Sequence, residues 1–115
     1  MKKLAIAESS YLTGEVNVLD HIAINVKDID RSVIWYCSNF GFDIEYIDET
    51  WAMLKRGDTK LALTIPSQHP PHIAFQISDE SSFPNGKIKE HRDGSKYLYQ
   101  EDPDGNVIEW IYYPE

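Results

Sequence analysis

Cysteine is all but missing from this chain of 115 residues: Cys37 stands alone. No disulfide can close within the chain, and a reducing compartment suits it. Basic residues are also scarce, with 11 Lys and Arg against 19 Asp and Glu and a net charge of −8. That balance leaves no broad cationic footprint for nucleic acid or an anionic membrane surface. No apolar run approaches the roughly 20 residues of a membrane span. Met1–Ala7 opens like a secretory leader, but Glu8 and two serines end its apolar run too early. We therefore expect a soluble, cytoplasmic protein whose partner is a small molecule, with no nucleic acid and no membrane involved. What is present is enough apolar residue (42%, with 12% aromatic) to build one core, and the length allows a single compact domain.

Residues 1–17 have no clear period and are treated as an N-terminal extension without assigned chemistry. The domain proper is expected over 18–115, as two modules, 18–65 and 72–113. Val18–Val26 alternates like a strand, with Ile22, Ile24 and Val26 on one face and His21, Ala23 and Asn25 on the other. Asp28 is placed to cap a helix through Phe40, whose Ile29, Val33, Tyr36, Cys37 and Phe40 recur at helical spacing as a buried stripe. Gly41 closes it. Residues 42–48, 50–56 and 59–65 follow as strands, giving the order βαβββ and an α+β fold.

The linker Pro66–Pro71 holds three prolines, which exclude regular structure. His72-Ile-Ala-Phe-Gln-Ile77 then repeats the pattern of His21-Ile-Ala-Ile-Asn-Val26, the mark of two copies of one supersecondary unit. The second copy has no room for a helix between Ser78 and Lys87. Strands over 87–92, 96–101 and 106–112 complete it, with Asp102-Pro-Asp-Gly105 as the tight turn of the last hairpin.

In each repeat the histidine shares its face with a small residue and an amide: Ala23 and Asn25, Ala74 and Gln76. The opposite faces are aliphatic or aromatic, so the bulky side is expected to cover core and the small side to line a cavity. Ala62 and Thr64 extend that cavity face. Glu109 lies between Ile108 and Trp110, where a carboxylate is costly unless compensated. It stands in the second module where Ala62 stands in the first. His21 and His72, related by the repeat, would converge with Glu109 as a metal site with open positions. The ligand set suits Fe(II), with Mn, Zn or Ni also compatible.

With these residues in view, the chain resembles the vicinal oxygen chelate superfamily, which includes glyoxalase I, extradiol dioxygenases and bleomycin resistance proteins. The resemblance rests on Leu19–Val26, Asp28–Tyr36 with Gly41-Phe42, Pro71–Phe75 and Asp102–Glu109. It implies paired modules in a cupped, incompletely closed mixed sheet around one metal, with His21, His72 and Glu109 at the ligand positions. It also makes a homodimer the default expectation.

Within the superfamily, glyoxalase I has a fourth ligand at the position of Ala62, which can neither coordinate nor abstract a proton. Extradiol dioxygenases are similar to this chain in having two histidines and a glutamate alone. Their C-terminal signature is matched by His91, Leu98-Tyr99, Asp102-Pro-Asp-Gly105 and Glu109, while Lys89 departs from it. The resemblance implies that Tyr99, sharing a face with Tyr97 and Glu101, helps deprotonate a catechol hydroxyl that His91 orients. A further active-site histidine of those enzymes finds its nearest stand-in in His69. The expected function is thus an Fe(II) extradiol-type dioxygenase. The alternatives are a glyoxalase-like isomerase or lyase using Zn or Ni, and a binding protein of the resistance type.

Overall fold

The computed structural model describes Leu4 and residues 16–114. The alternating stretch around His21 forms β1 (Val16–Asn25), so two residues assigned to the extension belong to the strand. The rest of the expected extension lies outside the described residues, apart from Leu4. Helix α1 (Ile29–Phe40) starts where the Asp28 carboxylate accepts the Arg31 amide and ends at Gly41, whose φ of 71° is a left-handed conformation open to glycine. β2 (Asp43–Ile47), β3 (Trp51–Arg56) and β4 (Thr59–Thr64) complete the first module. β5 (His72–Ile77), the short β6 (Lys89–Glu90), β7 (Lys96–Glu101) and β8 (Val107–Tyr112) make the second.

All eight strands form one mixed sheet in the order β2-β3-β4-β1-β5-β8-β7-β6. The order reads outward identically from the β1–β5 seam, which is the expected pairing of two modules. Within each module the first and last strands are parallel, β1 with β4 and β5 with β8. The seam itself is antiparallel. His21 and His72 therefore start on the two central strands, and Glu109 lies on the strand next to His72.

The core sits under α1, where Ile29, Val33, Ala52, Leu54 and Leu63 are buried. Burying side chains of Leu or Ile size stabilises by roughly 1.5–3 kcal/mol each. Tyr36 and Cys37 pack against this cluster from the side. Phe40, expected in the stripe, is instead exposed in the last turn of α1, with its ring against Trp35 and Tyr36.

The second module has, as expected, no α-helix between Ser78 and Lys87, and it corrects two other expectations. In that stretch a single 3₁₀ turn lies at Glu80–Ser82. The loop after it covers Leu98 so closely that a Cβ on Gly86 would fall 2.6 Å from Leu98 Cδ1. Among the described residues, the rest of that outer face has no such cover. Leu19 and Ile22, paired across the seam with Phe75 and Ile73, are 36–47% exposed. Among the described residues, the bulky side of the central strands is thus largely open at the seam, with Ile24 and Val26 packed on the cluster beneath α1 and Ile77 buried at the end of β5. The strand expected over 87–92 shrinks to Lys89–Glu90, because a tight turn with His91 N–H donating to Ser95 O (2.8 Å) lifts His91 and Arg92 out of the ladder. Among the described residues, no helix is long and apolar enough to cross a membrane.

Candidate metal centre

His21 and His72 meet across the seam with their Nε2 atoms 3.3 Å apart. Each Nε2 is also 3.3 Å from the same oxygen, Oε1, of Glu109. Parallel pairing of β5 with β8 sets Ala74 opposite Glu109, and antiparallel pairing with β7 sets Tyr99 opposite it on the other side. The Asp102–Gly105 turn holds this register: the Asp102 carboxylate accepts the amides of Asp104 and Asn106 at 2.9 Å. All three expected ligands are brought together, and all are buried.

Each ligand is held from behind. His21 Nδ1 donates to Asp20 Oδ2 at 2.6 Å, and His72 Nδ1 donates to the Pro70 carbonyl at 2.8 Å. Both acceptors lack a proton to give, so Nδ1 carries the hydrogen in each ring, and a neutral ring presents a bare Nε2 lone pair. Two such lone pairs and a carboxylate oxygen facing one point repel unless a cation lies between them. This donor set, with its outer partners in place, fits a divalent metal held by His21, His72 and Glu109. In metal-free protein a proton answers the same need. Burial opposes charging His21, but Asp20 and Glu109 outweigh it and raise the ring's pKa to about 9. Burial likewise opposes the Glu109 carboxylate, and hydrogen bonds from His21, His72 and His91 overcome it and lower its pKa.

The remaining expected residues lie around this centre. Tyr99 OH is 2.9 Å from His69 Nδ1. Burial raises the Tyr99 pKa, so the phenol stays protonated and donates. Burial and the neighbouring His91 and His72 lower that of His69, which keeps it neutral as the acceptor. His91 Nε2 lies 2.8 Å from Glu109 Oε2, and its ring stacks on Tyr97 at 3.7 Å. In this structure His91 therefore grips the candidate ligand Glu109, with its Nε2 on the carboxylate. The three side chains and the three candidate ligands share one cavity of about 400 Å³, whose other walls include Trp51, Met53 and Lys60.

Of the expected cavity face, Ala62 and Thr64 line this space. Ala23 and Ala74 are sealed beneath it. Asn25 turns to bind Thr64 Oγ1 (2.9 Å) and the His69 carbonyl (3.0 Å), which pins the linker over the site. Sequence reasoning did not single out Asp20 or Tyr113. It gave His69 only a stand-in's place, although a histidine in a linker anchored at both ends was a usable signal.

A family model described as the Glyoxalase/Bleomycin resistance protein/Dioxygenase superfamily matches residues 18–83, more than half of the chain. The chain belongs to that superfamily. Solved structures agree on the fold. Methylmalonyl-CoA epimerase from Mycobacterium tuberculosis superposes with a TM-score of 0.73 at 18% identity, covering 88% of this chain and 91% of that one. The Streptomyces coelicolor epimerase, in complex with 2-nitronate-propionyl-CoA, gives 0.70 at 20% identity over 87% and 99%. A superfamily member from Vibrio splendidus 12B01 gives 0.62 at 16% over 81% and 97%. No protein of curated function matches the sequence. The fold these structures share is, in this chain, a curved open sheet of eight strands with one α-helix among the described residues.

Proposed function

We propose that this protein is a metal-dependent enzyme of the extradiol type, opening the ring of a catechol-like small molecule with dioxygen. The observation that carries this reading is a ligand set of three side chains, among the described residues, beside a hydrogen-bonded Tyr99–His69 pair in the same cavity. Ala62, buried in the cavity wall, offers no fourth ligand. A divalent ion, Fe(II) by preference with Mn, Zn or Ni compatible, would supply Lewis acidity and, as iron, an electron relay to dioxygen.

The chain's residues would do the rest. His69, neutral and accepting from Tyr99, is a base within reach of a substrate hydroxyl, and Tyr99 can turn its proton toward the same oxygen. His91 occupies Glu109 Oε2 and leaves Oε1 for the centre. Trp51 and Met53 give an aromatic ring an apolar wall. Overall, dioxygen is the oxidant: one ring carbon–carbon bond beside a hydroxyl breaks, and both oxygen atoms enter the product. The test is oxygen uptake by anaerobically Fe(II)-loaded protein across a panel of catechols. Absence of uptake and of ring-opened product with every member would end this reading.

One observation favours a second reading. A neutral His69 above an open metal site could also take a proton from carbon next to a carbonyl, and the solved structures of similar fold include methylmalonyl-CoA epimerases. Deuterium uptake from D₂O into an acyl thioester, without oxygen consumption, would select it.

A further inference from the structure

His21 and Asp20 are neighbours in one strand, yet both are buried. Strict alternation would send one of them to the outer face. The β1–β5 register slips between Leu19 and His21, and this irregularity lets both side chains stay inside. Asp20 Oδ2 then receives two hydrogen bonds, one from His21 Nδ1 at 2.6 Å and one from Tyr113 OH at 2.9 Å. Tyr113 follows β8, so the end of the strand that carries Glu109 also reaches back to the ligand on β1.

We propose that Asp20 and Tyr113 are positioning residues for the metal site, fixing the His21 ring so that Nε2 faces Glu109. This rests on the reading of His21, His72 and Glu109 as metal ligands. His72 achieves the same end with a backbone carbonyl, which cannot be mutated or ionised. His21 alone depends on side chains. The carboxylate selects the Nδ1–H tautomer and makes Nε2 more basic, and Tyr113 stops the carboxylate from rotating away. Partners of this kind typically contribute 10–100-fold to metal affinity.

The experiment uses the full chain without a histidine tag and Zn²⁺ as the probe, titrated against a chromophoric chelator. Asp20→Ala is expected to weaken Zn²⁺ binding 10–100-fold. Asp20→Asn, which keeps an acceptor oxygen, should recover part of the loss. Tyr113→Phe, a one-atom deletion, should fold normally and weaken binding severalfold. In the Zn²⁺-loaded protein, the His21 Nδ1 proton should resonate far downfield and move upfield in Tyr113→Phe. Wild-type affinity within threefold in both Asp20→Ala and Tyr113→Phe, or an unmoved Nδ1 proton, overturns the proposal. If the wild type binds no Zn²⁺, the ligand reading itself fails. In that case the His21 tautomer, read by ¹⁵N shifts of the neutral ring in metal-free protein, still decides whether Asp20 and Tyr113 fix the ring, with Nδ1–H expected and Nε2–H overturning that orientation, while their role toward a metal falls with the ligand reading.

Discussion

His21 and His72 hold their Nε2 atoms 3.3 Å apart, with the same Glu109 oxygen 3.3 Å from each. No proton on either ring's Nδ1 is free to enter that gap, since Asp20 and Pro70 take both. The three groups therefore act as one site, and removing any one should abolish it. His21→Ala, His72→Ala and Glu109→Gln are each expected to lose stoichiometric metal in elemental analysis of untagged protein. Unchanged metal content in the two histidine variants would falsify the site.

The same geometry makes metal binding a competition with protons. His21 titrates near pH 9 when no metal is bound. Apparent affinity should thus rise by about tenfold per pH unit from neutrality and level off near pH 9. A flat affinity across pH 6–9 would exclude His21 as a ligand that must lose a proton.

Stability of the metal-free protein should move the opposite way. The His21 pKa lies above its ordinary value of 6.5, so its contribution is full below about pH 6.5 and lost as pH rises to about 9. Glu109 is shifted below its ordinary 4.5, so its contribution is present above that pH and lost on acidification. These are two sides of one interaction, and together they place the optimum between about 4.5 and 6.5. Melting temperature should fall by several degrees between pH 6.5 and 9 without metal. Glu109→Gln should flatten that fall.

Tyr99 donates to His69 from within the cavity, so its hydroxyl is expected to act in turnover more than in folding. Tyr99→Phe should cut kcat by roughly 10²-fold or more, the usual weight of a positioned proton donor. Melting temperature and metal content should stay near wild type. Full turnover in Tyr99→Phe would reduce the tyrosine to a wall of the pocket.

Much of this was legible in the residues because the period was regular. β5 and β7 begin and end where the alternation does, at His72–Ile77 and Lys96–Glu101. The repeat alone placed His21 and His72 opposite each other, and the seam pairing of β1 with β5 makes them meet. What escaped depends on departures from period. Asp20 reaches the inside only through a slip in the ladder, which alternation cannot reveal. His69 lies among prolines, where no pattern assigns a direction, and it is fixed by the bonds from Asn25 and Thr64 to its carbonyl and from Tyr99 to its ring. The exposure of Ile22 and Phe75 on the bulky face of the seam depends on what packs over that face, a tertiary fact rather than a local one.

Under the proposed function, Ala62 is where this chain would divide from a four-ligand site. It pairs with Ala23 across β1–β4, is 3% exposed, and forms part of the cavity wall beside the ligands. A carboxylate placed there would project into open space of about 400 Å³ and need not displace core. Ala62→Glu should therefore fold with little loss of melting temperature when metal is bound. It should hold Zn²⁺ or Ni²⁺ more tightly than wild type, because a fourth charged donor joins the set. The same change fills a position that two substrate oxygens would otherwise use, so ring cleavage should drop sharply while proton exchange next to a carbonyl is gained or retained. Undiminished ring cleavage in Ala62→Glu would mean that the open position is not where the substrate binds.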